Sequence, residues 1–245
     1  LTEIIESERE RPSLSAPEND QNTIQKFIPK PILQSFHAGE FRDVVSVFIS
    51  FKDLSTYADL DKFARKTIKH VDTFGGYFRV LDFGDKGGNC LIIFGAPLSY
   101  ENNIERAINF ISSLRNEYRN NIRVGITFGT VFAGYVGSKR RCGYDVLGSP
   151  VNLSARFMMK ADWGEVYLDE KINRKIKSQY ETKALLSQDF KGFENKITPF
   201  RLHEKTKQKV ISFFTSKMVG RKKELTRLKR CMKPVRDCKF GGIVY

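Results

Sequence analysis

The stretch Gly143-Tyr144-Asp145-Val146-Leu147-Gly148-Ser149-Pro150-Val151-Asn152-Leu153-Ser154-Ala155-Arg156 limits the fold more than any other part of the chain. It reads as strand, glycine turn and helix start. Val146 and Leu147 favour a strand, Gly148 gives the turn, Ser149 is placed to cap, and Pro150 suits a first helical turn. Asn152 and Arg156 are four residues apart, so on a helix they leave from one face. An amide beside a guanidinium at a helix start suits a polyphosphate, or the charge that develops on one. Asp145, just before the turn, is placed to accept a hydrogen bond from an exocyclic amine. The same spacing also suits an ordinary helix start with a surface Arg and a buried Asn.

The flanking chain supplies the other elements. Val44 to Phe51 is an apolar, β-branched run that predicts a buried central strand. Leu60, Phe63, Ile68 and Val71 give Asp59 to Phe74 a helical spacing, which Gly75-Gly76 ends. Tyr77 to Phe83 and Cys90 to Phe94 predict a hairpin, and Asn102 to Tyr118 a second amphipathic helix. Arg123 to Phe128 reads as a strand that Gly129 turns into another, Val131 to Gly137. Gly164 to Leu168 is a short strand, Asp169 caps the helix after it, and Ile197 to Leu202 fits a closing edge strand. Strands alternating with helices and enclosed by hairpins predict an α/β (α+β) sandwich of the ferredoxin-like βαββαβ kind, with an extra C-terminal hairpin or edge strand.

Length and composition bound the rest. The 245 residues leave room for one large domain plus a fragment or tail. No apolar run approaches a membrane span and no signal peptide opens the chain. The start at Leu1 and the ending Gly241-Gly242-Ile243-Val244-Tyr245 suggest a piece of a longer protein. Cys90, Cys142, Cys231 and Cys238 form no Cys-x-x-Cys pair, and His37, His70 and His203 complete no metal-ligand spacing. Free thiols point to a reducing, cytoplasmic setting.

The formal charge is +14, and +11 of it lies from Lys205 onward, where 13 Lys and Arg face only Glu224 and Asp237. Such a tail binds nucleic acid or anionic lipid, or is simply a solvated linker and helix. The remainder of the chain carries no basic–aromatic surface pattern, which argues against nucleic acid.

The stretch from Tyr144 to Arg156 resembles the signature of the class III nucleotidyl cyclases, Tyr-Asp/Thr-Val/Ile-x-Gly-x-x-Val-Asn-x-Ala-x-Arg. The resemblance runs from about Phe41 to His203 and is nearest the second cyclase domain of soluble adenylyl cyclases and bacterial cyclase–ATPase proteins. It divides the chain into a linker and docking segment (1–40), a cyclase-like domain (41–203), a linker (204–217) and a C-terminal piece (218–245). The run from Met218 resembles the start of an AAA-type or STAND-type ATPase module, although no Gly-x-x-x-x-Gly-Lys-Ser/Thr follows. A helix without a functional role is an equal alternative there.

The resemblance implies head-to-tail pairing of two such domains with ATP in the groove between them. The ribose 3′-oxygen attacks the α-phosphorus and pyrophosphate leaves, with two Mg²⁺ or Mn²⁺ ions assisting. Asn152 would orient the ribose and Arg156 would stabilise the transition state. Asp145 and Val146 would meet the adenine beside Val80, which stands where adenylyl cyclases carry a Lys; Arg79 is adjacent. Phe51 matches the first metal-binding Asp, with Asp53 two residues on, and Asp85 is a weak second ligand. Phe193 replaces a phosphate-holding Lys, leaving Lys191 and Lys196 as weak substitutes, and the basic loop Lys139-Arg140-Arg141 either sees phosphate or is solvated. The resemblance therefore implies a complementary half that meets base and phosphorus, while a partner first cyclase domain holds the metals. The competing reading is a degenerate homologue that binds nucleotide or anion and regulates an attached ATPase.

Overall fold

Strand β1, Gly39–Phe51, is apolar on both faces because both faces are covered. Val45, Val47, Ile49 and Phe51 point into the larger core cluster, whereas Val44 lies in a second cluster against which Phe48 packs. This explains the near-continuous apolar run. The strand begins at Gly39, earlier than the run predicts, because Gly39 to Asp43 pair with Gly134 to Thr130.

A computed structural model describes residues 28, 32, 39–84, 87–138, 142–205 and 221–236. The chain divides into two units, Leu1–Thr206 and Lys207–Tyr245. In the first, β1 leads into helix α1, Tyr57–Phe74, whose N-cap Thr56 accepts from the Asp59 amide and whose C-cap Gly75 adopts φ 70°. That left-handed turn suits glycine. Strands β2, Tyr77–Gly84, and β3, Gly87–Phe94, form the expected hairpin, each reaching further toward the turn than predicted. Helix α2 is Asn103–Tyr118.

The next strand corrects the sequence reading. β4 runs unbroken from Ile122 to Gly137, so Gly129 is not a turn. A Cβ on Gly129 would lie 2.7 Å from Pro150 Cγ, so this glycine serves close packing. β5, Cys142–Leu147, leads into helix α3, Ser149–Lys160. Then come β6, Val166–Leu168, helix α4, Glu170–Ile176, β7, Tyr180–Ala184, and β8, Phe200–Lys205. Asp169 caps α4 as expected, accepting from the Ile172 amide.

The sheet order is β2-β3-β1-β4-β6-β8-β7, with β5 pairing to β4. Its first four strands pair antiparallel with one another, and with α1 and α2 on one face they form the ferredoxin-like βαββαβ unit. β6 adds parallel to β4, and the β7–β8 pair supplies the extra C-terminal hairpin. The closing strand starts at Phe200, not Ile197, and lies inside the sheet with β7 at the edge, since β8 pairs on both sides. Ile197 forms only an isolated bridge to Gln188.

Ile32 is buried in the second cluster, and the Tyr135 hydroxyl donates to its carbonyl at 2.7 Å. In the second unit the described element is helix α5, Lys222–Arg236, within the stretch read as the start of an ATPase module. The segment 1–27, the 139–141 loop, Asp85 and Ile243 to Tyr245 lie outside the described residues.

Candidate functional site

Helix α3 lies on the sheet face opposite α1 and α2, and glycine brings it close. A Cβ on Gly125 would stand 2.0 Å from the Ser154 carbonyl oxygen and 2.4 Å from the Met158 nitrogen. The Thr127 hydroxyl donates to the Pro150 carbonyl at 2.6 Å, pinning the first turn. Gly148, not Ser149, is the N-cap, and no side chain caps the helix. A Cβ at 148 would meet Val131 Cγ1 at 3.0 Å, a tight contact against β4. Ser149 is the first helical residue.

Val151, Ser154, Phe157 and Met158 form the buried side of α3. By helical geometry Asn152 and Arg156 leave from the opposite side. Asn152 is exposed and Arg156 half-buried. Neither side chain carries a hydrogen bond or ion pair among the described residues. The predicted amide–guanidinium pair thus stands on a rigid seat with its polar groups unengaged.

Asp145 is engaged, by a residue the sequence reading left beside the site. Arg79 donates from Nε to Oδ1 at 2.9 Å and from Nη2 to Oδ2 at 3.0 Å. The Val146 amide adds a bond to Oδ1 at 2.8 Å. Partial burial works to raise the Asp145 carboxyl, but the Arg79 and Val146 hydrogen bonds outweigh it and hold the group below its ordinary value. The signal in β2 is an irregularity: its register to β3 shifts between Phe78 and Val80, as at a bulge. One extra residue re-aims Arg79, a displacement that strict alternation does not foresee. Val80 itself is 37% exposed next to it. Val146 is buried in the second cluster, so its side chain is not open to a nucleotide.

At the end of β1, Phe51 is buried on the α1 side, its ring 4.5 Å from Phe63 and 5.5 Å from Phe83 between centroids. It therefore faces away from α3. The last β1 residue on the α3 face is Ser50, cross-strand from Arg123, whose guanidinium bonds the Met159 carbonyl of α3.

The adenylate and guanylate cyclase catalytic domain family matches residues 46–204. The chain belongs to that family. This cyclase domain is 26% identical over 156 residues to adenylate cyclase type 10 of Oryctolagus cuniculus, a match covering 56% of the chain and 10% of the relative. It thus spans about a tenth of the length of that curated relative. Its fold is similar to the guanylate cyclase domain of RhGC from Catenaria anguillulae, solved with GTP, at TM-score 0.59 and 20% identity, covering 68% of this chain and 99% of that one. The adenylyl cyclase CyaB from P. aeruginosa is similar at TM-score 0.56 and 19% identity, covering 68% and 96%.

The divalent ions implied by the family do not fit the cyclase domain's described residues. No group of three or more His, Cys, Asp or Glu side chains converges there to hold a metal ion. Ser50 is neutral, and Asp53 is exposed on a backbone with φ 61° beyond the strand. Phe193 packs with Phe157 and Phe190 in a third apolar cluster, so it anchors its loop and presents no charge. Lys191 and Lys196 are exposed on that loop. No helix among the described residues is long and apolar enough to cross a membrane.

Proposed function

We propose that this cyclase domain is the second-type half of an adenylyl cyclase, working head-to-tail with a first cyclase domain that holds Mg²⁺ or Mn²⁺. The observation that carries the reading is a division of labour. One chain carries the Arg79–Asp145 ion pair and, among its described residues, an Arg156 with no ion-pair partner and no metal cluster.

In the reaction, the ribose 3′-oxygen of ATP forms a bond to the α-phosphorus as its proton passes to solvent. The bond to the β-phosphate oxygen breaks, releasing cyclic AMP and pyrophosphate. Asp145 accepts from the adenine amine, and Arg79 holds that carboxylate ionised and oriented. Asn152 orients the ribose. Arg156, with no carboxylate partner among the described residues, meets the charge growing on the phosphorus. The fixed helix seat places both groups without reorganisation at the moment of reaction.

The test is complementation. The chain alone, with Mn²⁺ and ATP, makes little cyclic AMP; mixed with a first cyclase domain bearing both metal carboxylates, it makes cyclic AMP at a rate that depends on Arg156. Robust synthesis by the chain alone, or a mixture indifferent to Arg156→Ala, overturns the reading. A second reading is favoured by Phe193: with that apolar side chain packed against the third cluster where a phosphate-holding Lys is expected, the domain binds nucleotide and regulates an attached module without turnover. ATP binding to the mixture without cyclic AMP synthesis selects it.

A further inference from the structure

The far end of β1 carries a constellation that the proposed reaction does not use. The Lys52 amide donates to the Asn121 carbonyl at 3.0 Å, and the Gly164 amide donates to the Ile122 carbonyl at 2.7 Å. These bonds bring the residue after β1, the start of β4 and the turn after α3 to one corner. There Lys52 Nζ lies 5.0 Å, and Arg123 Cζ 4.8 Å, from the centroid of the Trp163 ring. Two cations share one indole.

Arg123 is poorly satisfied. Its Nη1 reaches the Met159 carbonyl only at 3.4 Å, its Nη2 reaches the Met159 sulfur at 3.7 Å, and its Nε is buried with no partner. Asp53 and Asp162 are close in sequence, yet among the described residues no carboxylate pairs with Lys52 or Arg123. Elsewhere in the domain Arg42, Arg65, Arg79, Arg174 and Arg201 each have a carboxylate partner. Two partly desolvated cations without a counter-ion are costly, and charge-assisted bonds to an oxyanion offset that cost. Ser50, cross-strand from Arg123, adds no negative charge to the corner.

We propose that Lys52, Arg123 and Trp163 form a binding site for a phosphate-chain oxyanion, taken up without a divalent cation. The guanidinium and ammonium supply the whole countercharge, and the indole fixes their positions. The site goes beyond the pairing role, since it uses neither Arg156 nor a partner domain.

Trp163 is the only tryptophan in the chain, so its emission reports this corner alone. The chain is titrated with pyrophosphate in EDTA at fixed ionic strength. A saturable change in emission is expected, with the Kd rising about tenfold or more in Lys52→Met and recovering in Lys52→Arg. Arg123 also ties down α3, so Lys52 is the deciding position. No saturable response overturns the proposal. So does an equal response to chloride, a Kd unchanged in Lys52→Met, or binding that needs Mg²⁺. In a parallel arm, ATP binding more tightly than pyrophosphate marks nucleotide phosphates as the source, and the reverse order marks the free anion. Failure of the complementation assay leaves this titration unmoved, so the two ideas fail separately.

Discussion

The guanidinium of Arg79 meets both carboxylate oxygens of Asp145, at 2.9 and 3.0 Å, across a separation of 66 residues. Each side chain is 29% exposed, so solvent screens the pair and its coupling is modest, about 1 kcal/mol. A double-mutant cycle with Arg79→Met and Asp145→Asn, read by urea unfolding, is expected to return that value. If the proposed reading holds, with the pair meeting the base and not the reacting phosphorus, the same Arg79→Met change in the complemented enzyme raises KM for ATP more than it lowers kcat.

Two carboxylates give opposite pH dependences. Burial pushes Asp169 up to about 6, despite amide bonds from Ile172 and Phe128. The folded state then binds that proton more tightly than the unfolded chain, whose Asp titrates at about 3.9. Stability from this group falls as pH rises between about 4 and 6, and is level above. Asp145 is held below its ordinary value, so its contribution is present above about 4 and is lost as pH falls through the lowered value. Unfolding free energies from pH 3 to 7 check both signs: the stability of wild type relative to Asp169→Asn falls as pH rises from about 4 to 6, and that relative to Asp145→Asn falls only as pH drops below about 4.

Gly125 is the tightest point under α3. Gly125→Ala forces its methyl against the Ser154 carbonyl and Met158 amide, backbone atoms that cannot move aside. The variant is expected to lose about 3 kcal/mol or more, or to fail to fold. Gly143→Ala, with nothing within 4 Å of the added methyl, is expected to stay within about 0.5 kcal/mol of wild type. Thermal melts of the two variants side by side test the packing directly.

Phe51 separates packing from metal chemistry. Phe51→Ala empties a site beside Phe63 and Phe83 and costs about 3–5 kcal/mol. Phe51→Asp buries a charge on the side away from α3, so it unfolds the domain and does not create a metal site. Mn²⁺-dependent stabilisation of Phe51→Asp in a melt would show this placement to be wrong.

Arg156→Ala should leave stability within about 0.5 kcal/mol, since the side chain carries no bond among the described residues. In the complemented enzyme it should lower kcat by about 10²–10³, the scale of losing one transition-state charge donor. Arg156→Lys recovers only part, because an ammonium cannot reproduce the planar fork. Parallel loss of stability and rate would mark a structural role instead.

The α1 and α2 helices, the β2–β3 hairpin and the strand–helix unit around Pro150 were legible in the sequence, because local spacing, caps and turns decide such elements. Asn152 and Arg156 were legible for the same reason: four residues on a helix place two side chains on one face. Three things were decided only by tertiary structure. Gly129 looks like a turn residue by type, but it lies inside β4 and is glycine because Pro150 presses against it. Arg79 reaches Asp145 only through a shift of register between β2 and β3 that the sequence does not mark. Phe51 and Ser50 are chain neighbours, yet they lie on opposite faces of β1, and only the helices packed on those faces give each its environment. Local sequence fixes what a segment prefers to be; which side chains meet depends on how the sheet is covered, and that is a property of the whole packed domain.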